Sequence, residues 1–173
     1  MLAAATRRAS SKCWGHGVVK SWLGRWGRRE NPAAAQMAAA RRLEEGIDAH
    51  RQREWSRAEP LLRAVIDDPH AGRQDRQVAR NILGTLLERT RRIDEAADYY
   101  RMNARDGFVG SYPYERLAAL EVGRDNRAGA AQVLQQAVEV VEAELVRGRS
   151  EVAPQLARLR GLLAAVTPNQ SES

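Results

Sequence analysis

The chain has 173 residues, 43% of them apolar but only 5% aromatic, and a formal net charge of +6. That length allows one domain with a real core, and the Ala-, Leu- and Arg-rich mixture favours helices because these side chains lose little freedom there. A single cysteine, Cys13, excludes an intrachain disulfide, and no apolar run reaches the roughly 20 residues that a membrane-spanning helix needs.

The excess charge sits at the start of the chain. Residues 1–32 carry Arg7, Arg8, Lys12, Lys20, Arg25, Arg28 and Arg29 against Glu30 alone, and acids and bases balance in the remainder. This segment is expected to be a basic, flexible arm. Val18, Val19, Trp22, Leu23 and Trp26 fall on one side of it at helical spacing. Such a segment suits an anionic membrane surface or single-stranded nucleic acid, which makes a peripheral membrane or nucleic-acid binder the alternative function. The lone cysteine points to a cytoplasmic location. An acid-poor, Arg- and Ser-containing leader also has the composition of a mitochondrial transit peptide, the alternative location.

From 33 to 166 the periodicity is helical. Leu43 and Ile47 form the first apolar stripe, and Ala58, Leu61, Leu62, Val65 and Ile66 the second. Asp68-Pro69-His70-Ala71-Gly72 breaks the pattern, and Asp75 is predicted to cap the next helix. Val78, Ile82, Leu83, Leu86 and Leu87 follow, then a polar break at 89–92, then Ile93, Ala96, Ala97 and Tyr100. A loop is predicted over 106–111, with Pro113 in the first turn of the helix after it. The longest stripe is Ala130, Val133, Leu134, Ala137, Val138, Val141 and Leu145, and Val152, Leu156, Leu159, Leu163 and Val166 make the last. The polar tail, 167–173, has nothing to bury and is expected to be disordered.

A constellation recurs within this region. Gly46, Gly84 and Ala118 are small residues in mid-helix; twelve positions after each comes Ala58, Ala96 or Ala130, and four further on Leu62, Tyr100 or Leu134. Antiparallel helices that cross closely need small residues where the backbones approach, so small residue and alanine are expected to touch, with the bulky residue plugging the space beneath. A mid-helix glycine costs about 1 kcal/mol relative to alanine, which favours close packing as the reason for it.

Leu83-Gly84, Ile93-Asp94-Glu95-Ala96 and Tyr100 together resemble a tetratricopeptide repeat, and Tyr112-Pro113-Tyr114-Glu115-Arg116-Leu117-Ala118 resembles the opening of another. The resemblance covers residues 39–138 and is weakest in the first repeat, where Glu45 stands at the usual leucine. It implies an all-α, right-handed helical solenoid of about three helix pairs plus a closing helix. It further implies an adaptor that binds a peptide or partner helix in a concave groove lined by the first helix of each pair. The groove positions implied are Leu43, Ile47 and His50, then Asn81, Thr85, Glu88 and Arg89, then Tyr112, Glu115, Arg116 and Ala119. Asn81, Tyr112 and Arg116 are the preferred contacts, since an amide, a ring and a guanidinium suit backbone and carboxylate capture. Leu43 and Ile47 stand where the carboxylate clamp of chaperone-tail binders would need polar groups.

Nothing in the sequence asks for catalysis. His16, His50 and His70 lie far apart without metal-ligand spacing, and Gly15-His16-Gly17 is too short for a phosphate loop. The expectation is a binding module, not an enzyme, with no cofactor or metal and a protein or peptide partner that the sequence does not identify.

Overall fold

The computed structural model describes residues 31–167. They form seven α-helices and no strand: α1 (Pro32–Arg51), α2 (Trp55–Asp67), α3 (Arg73–Arg89), α4 (Ile93–Arg105), α5 (Tyr112–Gly123), α6 (Arg127–Val146) and α7 (Ala153–Val166). A 3-10 turn, Ser150–Val152, leads into α7. The basic arm and the polar tail fall outside the described residues except at their inner edges.

Each helix packs on the next, and α1 also touches α3. The chain therefore runs as three successive pairs, α1/α2, α3/α4 and α5/α6, with α7 laid on α6. One apolar cluster extends from Ala39 and Leu43 through Leu62, Leu83 and Tyr100 to Leu117. A second runs from Ala104 and Tyr114 through Leu134 and Val141 to Leu159, and Val133 packs against both.

Within each of the three pairs the two helices are joined by the same turn. Arg53, Arg91 and Asp125 each take a left-handed backbone, with φ of 63°, 67° and 59°. The next residue adopts one conformation in all three: Glu54 at −81°/66°, Arg92 at −93°/61° and Asn126 at −96°/67°. Its N–H reaches back five residues, to the carbonyls of Ala49, Leu87 and Glu121. This bond closes the end of the preceding helix by satisfying a carbonyl that would otherwise lack a partner. The α4 and α6 ends use the same closure, with Gly107 and Gly148 at the left-handed position. The repeat is thus written in the backbone as well as in the side chains, and the first pair obeys it as closely as the other two.

The small residues work differently from the expectation. A Cβ added at Gly84 would stand 2.6 Å from Cε1 of Tyr100, and one at Gly46 would stand 3.1 Å from Cδ2 of Leu62. The glycines therefore make room for the bulky plug itself, while Ala58, Ala96 and Ala130 are fully buried beside it. The third pair carries Ala118 opposite an aliphatic residue, Leu134, and both are buried.

Two local expectations are corrected. Asp75 is not the cap of α3; Gly72 is, and Asp75 lies in the first turn, where a carboxylate still suits the helix dipole. Leu145 is 36% exposed, and Glu144 takes the inward place on the last turn of α6, held by Arg147 and by Arg149 at 3.2 Å. The second helices are tied together by ion pairs: Arg92 of the α3–α4 turn meets Glu59 of α2 at 2.8 Å, and Arg63 meets Glu95 of α4 at 3.2 Å.

Candidate functional site

Residues 81, 85 and 88 share one face of α3 because they lie three or four apart. That face meets the first two turns of α5. Glu88 is the hub. It accepts hydrogen bonds from the Tyr100 hydroxyl at 2.7 Å and from Nε of Arg116 at 3.0 Å, with a second bond from the same guanidinium. The fork of Arg116 thus grips one carboxylate with two bonds, which fixes orientation as well as distance. That grip holds the Arg116 guanidinium more firmly protonated than usual.

Around the hub, Oγ1 of Thr85 lies 2.7 Å from the Tyr112 hydroxyl and donates to the Asn81 carbonyl at 3.0 Å. Tyr112 stands edge-on to Tyr100, ring centres 6.2 Å apart. Tyr100 is fully buried, and burial pushes its hydroxyl well above the ordinary tyrosine range, so it stays a donor to Glu88. At the other side of the hub Arg89 lies over the Trp55 ring, 5.9 Å from its centre, and Trp55 in turn touches His50 at 5.3 Å. Burial, reinforced by the charge of Arg89, lowers the His50 pKa below its ordinary 6.5 and keeps the imidazole neutral.

Thr85, Glu88, Arg89, Tyr112 and Arg116 line one open hollow of about 440 Å³. Five of the eleven groove positions named from the sequence are therefore brought together. Asn81 and Glu115 are engaged elsewhere. The Asn81 side-chain oxygen accepts from Nδ2 of Asn103 at 2.8 Å, so the amide is turned into the α3/α4 seam. Glu115 pairs with Arg158 of α7 at 2.8 Å and does not line the hollow. In the first pair, Leu43 belongs to the core and Ile47 packs against it, because an apolar side chain gains more from burial than from a wet groove. Ala119 is exposed on α5.

Tyr100, Trp55 and Asn103 were missed as parts of this arrangement. One signal was present: a tyrosine at the plug position carries a hydroxyl that must find a partner when buried, and the nearest exit is onto the face of α3. Trp55 opens α2 and gave no pattern of its own.

The hollow has a definite polarity. Both Glu88 oxygens are turned inward on Tyr100 and Arg116, while Tyr112, 42% exposed, and Arg89 face outward. Its open groups are donors and flat rings. Among the described residues no group of His, Cys, Asp and Glu could hold a metal, and no helix is long and apolar enough to cross a membrane. Comparison of the chain with models of known protein families, with curated proteins and with solved structures finds no match.

Proposed function

We propose that the chain is a protein-interaction module of tetratricopeptide type, a right-handed solenoid that takes a peptide or partner helix on the face of α3 and α5. The observation that carries this reading is the hollow at Thr85, Glu88, Arg89, Tyr112 and Arg116, because first helices of two successive pairs contribute to it and the Glu88–Arg116 pair locks them together. The turn repeated inside each pair at Arg53, Arg91 and Asp125 supports a repeat architecture, since equal turns give helix pairs of equal build that can stack on one another. Outward-facing Arg89 and Tyr112 and the guanidinium of Arg116 are residue types that dominate binding energy where proteins meet. The role is recognition, not catalysis.

Affinity capture with the full chain tests it, comparing the wild type with Arg89→Ala, Tyr112→Ala and Arg116→Ala combined. The combined variant is expected to lose the partners that the wild type retains while keeping its helical circular dichroism. Retention of the same partners by the folded variant would place binding elsewhere on the molecule.

A further inference from the structure

A second hollow, of about 490 Å³, lies where the first turn of α3, the α4–α5 loop and the start of α7 converge. Its chemistry is unlike that of the first. Oε1 of Gln155 is buried there without a hydrogen-bond partner among the described residues. An acceptor left so keeps its desolvation cost until a donor reaches it. Gln77, 92% buried on the same wall by its 8% exposure, spends its amide nitrogen on a contact of 3.5 Å with the Asp106 carbonyl, at the limit of a hydrogen bond. On the loop, the main-chain N–H groups of Val109 and Gly110 donate to no other described group.

A buried acceptor without a partner and two loop N–H groups that no described group uses line one hollow, and together they complement a peptide backbone, which offers one N–H and one C=O per residue. A free anion would satisfy the donors and leave Gln155 as it is. The floor is apolar. Phe108, the only phenylalanine of the chain, folds its ring against Gly110, where any Cβ would collide with it, and Val152 completes the surface. Two guanidiniums stand at the rim. Arg73 donates to the Asp106 carbonyl, which leaves its charge uncancelled, and Arg149 shares the single carboxylate of Glu144 with Arg147. The rim is therefore net positive.

We infer that this hollow is a second binding site, for an extended acidic peptide whose backbone pairs with Gln155 and the Val109–Gly110 loop while an apolar side chain rests on Phe108. Loss of the first hollow does not remove this one, because the two share no lining residue.

Fluorescence anisotropy on the full chain tests the inference with labelled, N-acetylated and C-amidated peptides. One alternates Asp and Leu over six residues, one alternates Lys and Leu, and a third is the Asp–Leu peptide N-methylated at its two central residues. The Asp–Leu peptide is expected to bind, more weakly as salt rises, and the Lys–Leu peptide not to bind. N-methylation and Gln155→Leu are each expected to weaken binding about tenfold, the scale of one buried hydrogen bond to the ligand. Arg149→Gln, at the exposed rim, is expected to weaken it several-fold and guards against a folding defect at position 155. Arg116→Ala should leave it unchanged. Equal binding of the acidic and basic peptides, no binding of either, or undiminished binding with Gln155→Leu overturns the second site. Loss with Arg116→Ala and not with Gln155→Leu also overturns it, and assigns the peptide to the first hollow.

Discussion

The α3/α4 seam and the α6/α7 seam are built from different materials. Between α3 and α4, Asn103 is fully buried and donates to the Gln77 carbonyl and the Asn81 side chain, each at 2.8 Å. Arg80, 9% exposed, stands 3.5 Å from the Asn103 oxygen and pairs with Asp106. Between α6 and α7 the buried residues are Val138, Val141, Val152, Leu156 and Leu159, and polar groups meet at the exposed edge, as Arg160 does with Glu142. Apolar contact adds up area and tolerates a shift of register. Directed bonds do not, and a buried network of them selects one arrangement; here Nε of Arg80 is the one group of the network left without a partner among the described residues. The polar seam is the one that carries the candidate site, and it holds α4 where the Tyr100 hydroxyl meets Glu88.

The two seams should therefore fail in different ways. Leu159→Ala is expected to cost the most, about 3 kcal/mol by lost burial and the cavity left behind, read in urea unfolding, without changing the environment of Tyr112. Asn103→Leu is expected to cost about 2 kcal/mol, because Gln77 and Asn81 lose a donor, and to shift the Tyr112 ring resonances as well. Equal effects of both variants on Tyr112 would erase the distinction.

The glycines sharpen it. Gly84→Ala is expected to destabilise by about 1–2 kcal/mol, since the Tyr100 ring must move. Gly46→Ala, opposite a flexible Leu62, should cost less, and thermal melts of the two variants give the order. At the turn that both pairs share, Arg91→Gly is expected to stabilise by about 0.5–1 kcal/mol, the relief of a side chain from the left-handed region, less the greater freedom of glycine in the unfolded chain.

The smallest effect concerns His50. Its folded pKa lies below 6.5, so as pH falls through 6.5 the unfolded chain takes up the proton first and stability declines until the folded pKa is passed. Arg89→Ala should raise the His50 pKa in an NMR titration, though not to 6.5, because burial is the larger cause, and should narrow that window. An unmoved His50 would show that Arg89 does not act on it.

Six of the seven helices were legible from their apolar stripes, and α5 from the loop before it and from Pro113 in its first turn. The connecting turns were not. Left-handed positions announce themselves through glycine or asparagine, as at Gly107 and Gly148, but inside the pairs they are held by Arg53, Arg91 and Asp125, of which Arg91 alone lay in a stretch read as a break. Of the site, the resemblance was enough to name Thr85, Glu88 and Arg89, which lie together on α3. It could not tell that Asn81 would be claimed by Asn103 or Glu115 by Arg158, because those partners come from helices that folding alone brings near. Leu43 was misplaced for a related reason: an implied groove position says nothing about how much core its helix must supply.

Tyr100 belongs to two regions at once, its ring filling the space above Gly84 and its hydroxyl anchoring Glu88. Neighbouring pairs fill the same position with leucine and have no such anchor. An exchange at this buried position can therefore keep the fold and rewire the surface, so the chemistry of the α3/α5 face is set in part by a residue that lies wholly beneath it.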